Sequence, residues 1–271
     1  MCRLLAYLGK ATRLERVISE PEHSLVVQSY RPVEMTSGVV NADGFGVGWY
    51  TRALDATPCV YKSPRPIWSD QNLPALSRHI ASECIFANVR SATPGQGVDY
   101  SNCQPFAFGP FLFMHNGYIE NFRSTMMRQM REVLRDEYYA AIHGATDSEH
   151  IFALLLHFLH GRTLSLQTIA SAMAETIEQL LRWAAAKNLQ IGLNMALTNG
   201  EYVVASRCAS KASAPSLYYT TGCPFFAQAA VIASERPFAS PEWIAVPENS
   251  IIAFDLDLRL YRFDLQRQVA A

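Results

Sequence analysis

The order of secondary-structure patterns along the chain predicts an α+β protein, in which sheets pack together and are covered by helices. Strand-like stretches come first, helical stretches occupy the middle, and strand-like stretches return after residue 190. Of the 271 residues, 49% are hydrophobic and 17% are charged, which is enough apolar material for a large core. The length fits one large domain or two small ones. Because no repeat, low-complexity stretch or long linker divides the sequence, we expect a single domain over residues 1–271.

Charge and hydropathy argue against several classes of partner. The net charge is -1 and the 23 basic residues are scattered, so the sequence has no basic stripe for nucleic acid. The apolar runs are too short to span a membrane, and the N-terminus lacks the apolar region and cleavage site of a signal peptide. We therefore expect a cytoplasmic protein that binds neither nucleic acid nor a membrane. The sequence leaves the oligomeric state open.

The first part of the chain is predicted to be mainly strands. Residues 3–8 predict a short strand, whereas residues 10–43 show no clear period. In residues 44–50 glycines alternate with Phe, Val, Trp and Tyr, which indicates a strand closely approached by another backbone or a ligand. A phosphate-binding loop is rejected there, because neither Gly-Lys-Ser/Thr nor the G-x-G-x-x-G spacing is present. Residues 59–62 are predicted to pair with this strand as a hairpin, and residues 73–82 to form a short helix.

Two further buried strands are each predicted to end on a polar cluster. Residues 83–89 lead into Arg90, and residues 111–114 lead into His115-Asn116-Gly117. Functional side chains often lie on loops held by such a scaffold. Each cluster also has a purely structural interpretation, because Asn-Gly between apolar runs is a strong hairpin signal and Arg90 could form an ion pair at the rim of the sheet.

The middle of the chain is predicted to be helical. Residues 121–140 carry mixed charge, with Met126, Met127, Met130 and Leu134 on one side. Thr146 and Glu149 have the spacing of a capping box, and apolar residues at helical spacing follow them. Between them, Asp147 is at least a first-turn acid favoured by the helix dipole. Residues 165–187 predict another amphipathic helix.

The last part of the chain returns to strand patterns. The predicted strands are 193–198, 201–206, 216–220, 230–234, 250–255 and 258–263. Asn199-Gly200 lies between the first two of them and predicts a hairpin turn.

The cysteines direct attention to the N-terminus. None of the six forms a Cys-x-x-Cys pair or lies near a histidine cluster at zinc spacing, so we expect neither a metal site nor a disulfide framework. Removal of Met1 would leave Cys2 with a thiol and a free α-amine. An α-amine of pKa about 7.7–8.0 can act as base for a thiol of pKa about 8.5. The alternative is an ordinary buried cysteine that opens the first strand.

Five motifs follow one another along the chain: Met1-Cys2, Asn41-Ala42-Asp43-Gly44-Phe45-Gly46, Arg90-x-x-Thr93, His115-Asn116-Gly117 and Thr146-Asp147-Ser148-Glu149. In this order, starting at Cys2, they resemble the class II glutamine amidotransferases. These are N-terminal-nucleophile hydrolases with a four-layer αββα sandwich. The resemblance implies that fold, an amidohydrolase activity on γ-glutamyl substrates, and no cofactor.

The resemblance also implies a catalytic role for three residues. Cys2 would attack a γ-glutamyl amide and form a thioester that water hydrolyses, while its own α-amine moves the protons. The side-chain amide of Asn116 and the backbone N–H of Gly117 would form the oxyanion hole. His115 is expected to be structural, because no base beyond the amine is needed.

Three more residues are implied to bind the glutamyl end of the substrate. Arg90 would hold the α-carboxylate in a two-pronged contact, and Asp147 would hold the α-ammonium. Thr93 would support this clamp. A zwitterionic head group needs one residue of each charge, and this pair supplies them.

Within the superfamily, the sequence resembles the γ-glutamyl amidohydrolases of ergothioneine biosynthesis, which release glutamate from γ-glutamyl-hercynylcysteine sulfoxide. The similar segments are residues 27–30, 41–48, 66–70, 89–93 and 233–235. The sequence departs from that family in residues 118–145, where it has an extra helical stretch, beyond Phe254, and at Phe45, where tryptophan is expected.

Two other functions stay open at this point. The first is a stand-alone glutamine amidotransferase that passes ammonia to a partner, although the chain carries no synthase domain to receive it. The second is a catalytically silent binding module that keeps the fold. Retention of every expected polar group argues against the second.

Overall fold

The structure is a computed structural model that describes residues 1–35, 38–93, 97–211 and 213–265. The strands are β1 Arg3–Arg13, β2 Phe45–Trp49, β3 Cys59–Ser63, β4 Ala81–Val89, β5 Phe106–Phe108, β6 Phe111–Ile119, β7 Ile191–Thr198, β8 Val203–Arg207, β9 Tyr218–Thr221, β10 Ala229–Ala233, β11 Ile244–Ala245, β12 Ser250–Phe254 and β13 Leu260–Asp264. The helices are α1 Leu14–Ile18, α2 Leu25–Tyr30, α3 Leu73–His79, α4 Phe122–Thr125, α5 Met127–Val133, α6 Asp136–Ala140, α7 Asp147–Leu159 and α8 Leu166–Ala186.

The strands form two antiparallel sheets. The first has the order β11-β9-β10-β1-β4-β2-β3 and the second the order β13-β12-β8-β7-β6-β5. A buried cluster fills the space between them, with Phe86 of β4 and Leu112 of β6 among its members. Helices α1–α3 pack on the outer face of the first sheet, and α4–α8 pack on the outer face of the second. The predicted αββα sandwich is confirmed.

The first six residues of β1 are buried on both faces of the sheet, and the alternation of side chains along the strand decides which face each of them occupies. Leu4, Ala6 and Leu8 belong to the cluster between the sheets, whereas Leu5 and Tyr7 pack towards the helices. Side chains along a strand alternate between faces. The same period directs Arg3 towards the helices and Cys2 towards the space between the sheets.

Several local predictions were confirmed and others need correction. Strand β2 pairs with β3 as predicted, with Gly46 opposite Lys62. Residues 10–43 contain helices α1 and α2, which are too short to show a helical period. Helix α3 ends at His79 rather than at residue 82, because Ser82 pairs with Thr12 and so belongs to β4.

The middle and last parts follow the predicted order. Residues 121–140 form three short helices instead of one stretch, but Met126 and Met130 are fully buried as expected. The predicted helix at 165–187 is α8. The predicted hairpin at Asn199-Gly200 joins β7 to β8, with Gly200 in the left-handed region at φ 82°. No helix in the described ranges is both long and apolar enough to cross a membrane.

Candidate active site

One end of the first sheet brings the first three sequence motifs together. Val89, the last residue of β4, pairs with the first residues of both β1 and β2. Cys2, Arg90 and Gly44 therefore lie at the same edge of the first sheet. The chain is tied there by two backbone hydrogen bonds, from the N–H of Asp43 to the carbonyl of Arg90 (3.0 Å) and from the N–H of Arg90 to the carbonyl of Gly44 (2.8 Å).

Cys2 is partly buried at this edge, with its Sγ 3.9 Å from the carbonyl oxygen of Ser91. The structure includes Met1, so its α-amine belongs to Met1 and stands in for the amine that Cys2 would carry after processing. Burial lowers the pKa of this amine below its ordinary 8.0, while the negative charge of Asp43 acts in the opposite direction. The surroundings of the chain start therefore favour a neutral amine, which can accept a proton.

Arg90 is almost fully buried. Its Nη1 donates to the carbonyl oxygens of Asp43 (3.2 Å) and Gly97 (3.3 Å), which orient the guanidinium. Thr93, its predicted support, is exposed, and residues 94–96 lie outside the described part of the chain. The role of Thr93 stays a prediction.

Asn116 and Gly117 lie inside a strand, so the predicted strand end at residue 114 and the hairpin alternative are both wrong. Strand β6 runs on to Ile119, and Asn116 pairs with Asn194 of β7. Continuous pairing with β7 overrides the local turn preference of Asn-Gly. A Cβ at position 117 would collide with the carbonyl of Gly192, so glycine is needed where the two strands approach.

The amide of Asn116 faces a buried polar cluster between the sheets. Its Nδ2 donates to Ser234 Oγ over 3.4 Å, and the same hydroxyl accepts from the N–H of Leu4 at 3.1 Å. Oxygen Oδ1 of Asn116, both side-chain atoms of Asn88 and Oδ1 of Asn194 are buried without a protein partner among the described residues. Such groups call for ordered water or a functional explanation.

The sequence prediction did not include Asn88 and Asn194, although a signal was available. Each is a polar residue within an otherwise apolar strand, Ile85-Phe86-Ala87-Asn88-Val89 and Leu193-Asn194-Met195. A polar side chain inside a strand buried on both faces is unusual enough to mark a site. Ser234 appeared only as part of a similar segment.

Asp147 is the first residue of α7 and joins that helix to β6. Its Oδ2 accepts the N–H of Ile119 at 2.8 Å, and its Oδ1 accepts the N–H of Ser148 at 2.8 Å. A carboxylate has about four acceptor positions, so these bonds leave capacity for a ligand. The helix-start interpretation and the ligand interpretation of Asp147 are thus compatible.

The predicted capping box is only half formed. The N–H of Glu149 donates to Thr146 Oγ1 at 3.2 Å, as expected of an N-cap. The Glu149 carboxylate instead accepts the N–H groups of His143 (3.0 Å) and Gly144 (2.6 Å), which shape the turn before the helix. The sequence thus predicted the Thr146 cap correctly, but the Glu149 side chain stabilises the turn before the helix instead of bonding back to the N-cap residue.

His115 is enclosed by protein groups. Its Nδ1 lies 2.9 Å from Ser148 Oγ and its Nε2 lies 2.9 Å from the carbonyl oxygen of Gly192. Burial lowers its pKa, which favours the neutral ring. These are the contacts of a structural histidine, which is the role that the sequence predicts.

Comparison with known proteins decides the family. The profile described as "Glutamine amidotransferases class-II" matches residues 16–236. The chain belongs to the class-II glutamine amidotransferases. This makes it an amidohydrolase that acts on a γ-glutamyl C–N bond.

Three individual proteins illustrate the likeness of this amidotransferase to others. It is 33% identical over 298 residues to the "Probable glutamine amidotransferase DUG3" of Saccharomyces cerevisiae, covering 93% of this chain and 81% of that protein. It is 27% identical over 252 residues to the "Gamma-glutamyl-hercynylcysteine sulfoxide hydrolase" of Mycolicibacterium smegmatis, covering 93% and 95%. A solved glutamine aminotransferase class-II domain protein from Silicibacter pomeroyi superposes with a TM-score of 0.69 at 26% identity, covering 97% and 99%.

The cysteines of this amidotransferase differ sharply in their surroundings. All six are free; four are buried, Cys59 is exposed, and Cys2 is intermediate. Burial raises the pKa of Cys84 to about 12, which makes that thiol unreactive. Within the described ranges, no three His, Cys, Asp or Glu side chains gather as a metal site would require.

Proposed function

We propose that this enzyme hydrolyses γ-glutamyl amides with Cys2 as nucleophile, and that it releases glutamate from γ-glutamyl-hercynylcysteine sulfoxide. One observation carries the proposal: hydrogen bonds link the elements that bear Cys2, Arg90, Asn116 and Asp147. Asn116 bonds Ser234 Oγ, which also accepts the N–H of Leu4 next to the start of β1. Arg90 and Asn102 both donate to the carbonyl of Gly97, and Asn102 Oδ1 accepts the N–H of Ala145 just before α7. The named activity of the Mycolicibacterium relative supports the choice of substrate. The six free cysteines accord with the cytoplasmic location that the sequence predicts.

The reaction has two halves. In the first, the α-amine of processed Cys2 accepts the thiol proton, and the sulfur attacks the γ-carbonyl carbon. The C–N bond then breaks, the leaving amine takes the proton, and a thioester remains. In the second half the amine accepts a proton from water, the hydroxide attacks the thioester, and the C–S bond breaks. The thiol regains the proton and glutamate leaves.

The developing oxyanion needs donors beside the sulfur. In the proposal these are the side-chain amide of Asn116 and the backbone N–H of Gly117. The bond of Asn116 to Ser234 Oγ is long at 3.4 Å. A stronger acceptor, such as the oxyanion, can replace it at little cost.

The glutamyl head group carries a carboxylate and an ammonium. Arg90 is proposed to bind the first and Asp147 the second, with Thr93 supporting the clamp. Glutamine and γ-glutamyl conjugates present this end identically, so substrate choice must depend on groups beyond the scissile amide. A hercynylcysteine sulfoxide offers an imidazole, a trimethylammonium and a sulfoxide, whereas ammonia offers almost nothing.

Exposed aromatic side chains can recognise the trimethylammonium. Tyr30 and Trp68 are 48% and 44% exposed and meet edge to face, with ring centroids 5.8 Å apart. Such faces attract quaternary ammonium groups. Two other aromatics, Phe45 and Trp49 of β2, pack in the core beneath the helices, and Phe45 is fully buried. Of these four aromatics, Tyr30 and Trp68 are the exposed ones, and they are the residues proposed to contact the leaving group.

The second candidate is a stand-alone glutaminase that passes ammonia to a partner. The observation in its favour is the 33% identity to a yeast protein named as a probable glutamine amidotransferase. The two candidates share the glutamyl half of the reaction and differ only in the leaving group.

Side-by-side kinetics separate the two candidates. We expect kcat/KM for the γ-glutamyl sulfoxide conjugate to exceed that for glutamine by at least about 10²-fold. Tyr30→Ala and Trp68→Ala should reduce this ratio and leave glutamine hydrolysis unchanged. Tyr139→Ala, at a tyrosine 50% exposed on α6, is the matched control. Equal kcat/KM for the two substrates would favour the ammonia-supplying alternative.

A further inference from the structure

A buried ion pair lies behind the proposed nucleophile, on the face of β1 that is turned towards the helices. The antiparallel register that pairs Leu5 with Ala233 puts Arg3 opposite Glu235. Their side chains are each 1% exposed, and Arg3 Nε lies 2.6 Å from Glu235 Oε1. Neither residue has a place in the proposed chemistry.

The Glu235 carboxylate ties three parts of the chain together. Besides Arg3, it accepts hydrogen bonds from His23 Nε2 (2.7 Å) and from the backbone N–H groups of Val33 (2.8 Å) and Glu34 (3.0 Å). Burial by itself would raise its pKa, but the bonds from His23 and Val33 and the charge of Arg3 outweigh burial and lower it. Glu235 is therefore held as an anion with four donors.

Arg3 connects the Glu235 carboxylate to the backbone of Cys2. While its Nε binds Glu235, its Nη1 donates to the backbone carbonyl of Cys2 at 2.8 Å. The same carboxylate thus holds both the strand that follows Cys2 and the backbone at Val33 and Glu34.

We propose that Arg3 and Glu235 are positioning residues that hold the backbone of Cys2, and with it the thiol and the α-amine, against the glutamyl site. This inference rests on the proposed function of Cys2. A processed N-terminal residue is bonded to the chain on one side only. Its carbonyl is therefore the backbone group through which the protein can hold it without occupying the α-amine. Buried ion pairs are weak evidence for stability, whereas a displacement of about 1 Å at a reacting group can cost about 10²-fold in rate.

Arg3→Lys separates positioning from charge. Lysine keeps the positive charge beside Glu235, but a single ammonium cannot reproduce the fork that reaches both Glu235 and the carbonyl of Cys2. We expect kcat to fall about 10²-fold with KM changed less than about twofold. Glu235→Gln, which keeps the shape and removes the charge, should act in the same direction. Intact mass must show that Met1 is removed from every variant.

Alkylation provides a readout that a purely structural role would not change. A glutamine-mimicking electrophile should label Cys2 of Arg3→Lys about 10²-fold more slowly than in the unsubstituted enzyme, because it needs the thiol aligned with the clamp. Iodoacetamide needs an accessible thiolate but no alignment with the clamp, so its rate of reaction at Cys2, followed by mass at that residue, should be unchanged. The control is Glu175→Gln, which breaks the partly exposed bidentate pair of Arg162 and Glu175 (2.7 Å) and should change neither rate.

The outcomes are distinguishable. Full kcat in folded Arg3→Lys and Glu235→Gln overturns the positioning role. Loss of kcat only together with loss of the folded state in both variants also overturns it, because the pair would then be structural. Turnover that survives Cys2→Ala overturns the proposed function instead, and is therefore measured first.

Discussion

The two faces of β1 at its N-terminal end differ in how their polar groups are satisfied. On the face towards the helices, the Glu235 carboxylate has four donors and holds Arg3. On the face towards the second sheet, amide atoms of Asn88, Asn116 and Asn194 are buried without protein partners in the described part of the chain. Among the described residues, the network on the first face leaves Arg3 Nη2 and Gln28 Oε1 without a partner, whereas on the second face the amide atoms of three neighbouring asparagines lack one.

The difference indicates that the two faces of β1 have different functions. A buried polar atom without a partner costs about 1–3 kcal/mol, so a fold retains several together only where something else repays that cost. The face towards the helices, where nearly all polar groups are paired, is suited to fixing the backbone. The face towards the second sheet, where several amide atoms are unpaired, is suited to receiving polar groups of a substrate. Substitutions on the two faces should therefore have different effects.

The largest expected effect on turnover is at Cys2, on the face of β1 towards the second sheet. Cys2→Ala should abolish turnover and leave the melting temperature nearly unchanged, because a partly buried thiol adds little to the core. A glutamine-mimicking electrophile should label Cys2, while iodoacetamide should also label exposed Cys59. Specific labelling of buried Cys84 or Cys208 would contradict the assignment.

Asn116→Ala should follow, with kcat lower by about 10²–10³ and a small change in KM, because the lost donor acts on the developing charge. The comparison is Asn194→Ala, directly opposite in β7, whose Nδ2 donates to the carbonyl of Pro215 at 2.9 Å. Because this donor is bound to protein and is not part of the proposed oxyanion hole, Asn194→Ala should lower the melting temperature and reduce kcat less than Asn116→Ala does. Near-full kcat in Asn116→Ala would remove Asn116 from the oxyanion hole.

Arg90→Lys should mainly raise KM. The guanidinium already donates to the carbonyls of Asp43 and Gly97, and a lysine cannot keep those contacts while it grips a carboxylate in two places. We expect an increase of roughly tenfold or more, with a smaller change in kcat, in steady-state kinetics with glutamine. A change confined to kcat would show that Arg90 orients the nucleophile instead.

The smallest expected effect is a shift in pH dependence. A base must be unprotonated to act, so activity is present above the pKa of the amine and lost below it. Burial lowers the pKa of the Met1 amine from 8.0, and if the Cys2 amine of the processed enzyme takes the same surroundings, the acid limb of kcat/KM should have its midpoint below pH 8.0. Asp43→Asn removes a charge that raises this pKa and should move the midpoint lower still. A midpoint that rises in Asp43→Asn would refute the amine as base.

Sequence patterns predicted the parts of the molecule that depend on neighbours along the chain. The period of α8, the turn at Asn199-Gly200 and the cap at Thr146 each rest on residues a few positions apart, and each was confirmed. Helices α1 and α2 escaped prediction because five or six residues are too few to show a period.

What the sequence by itself determined is the candidate nucleophile and the order of the motifs around it, because the second position and the motif order are properties of the chain alone. Only the tertiary structure decided that Asn116-Gly117 lies within a strand, since pairing with β7 outweighs a local turn preference. Only the tertiary structure joined Arg3 to Glu235, which are 232 positions apart, because their contact follows from the register of β1 with β10 and has no local signature.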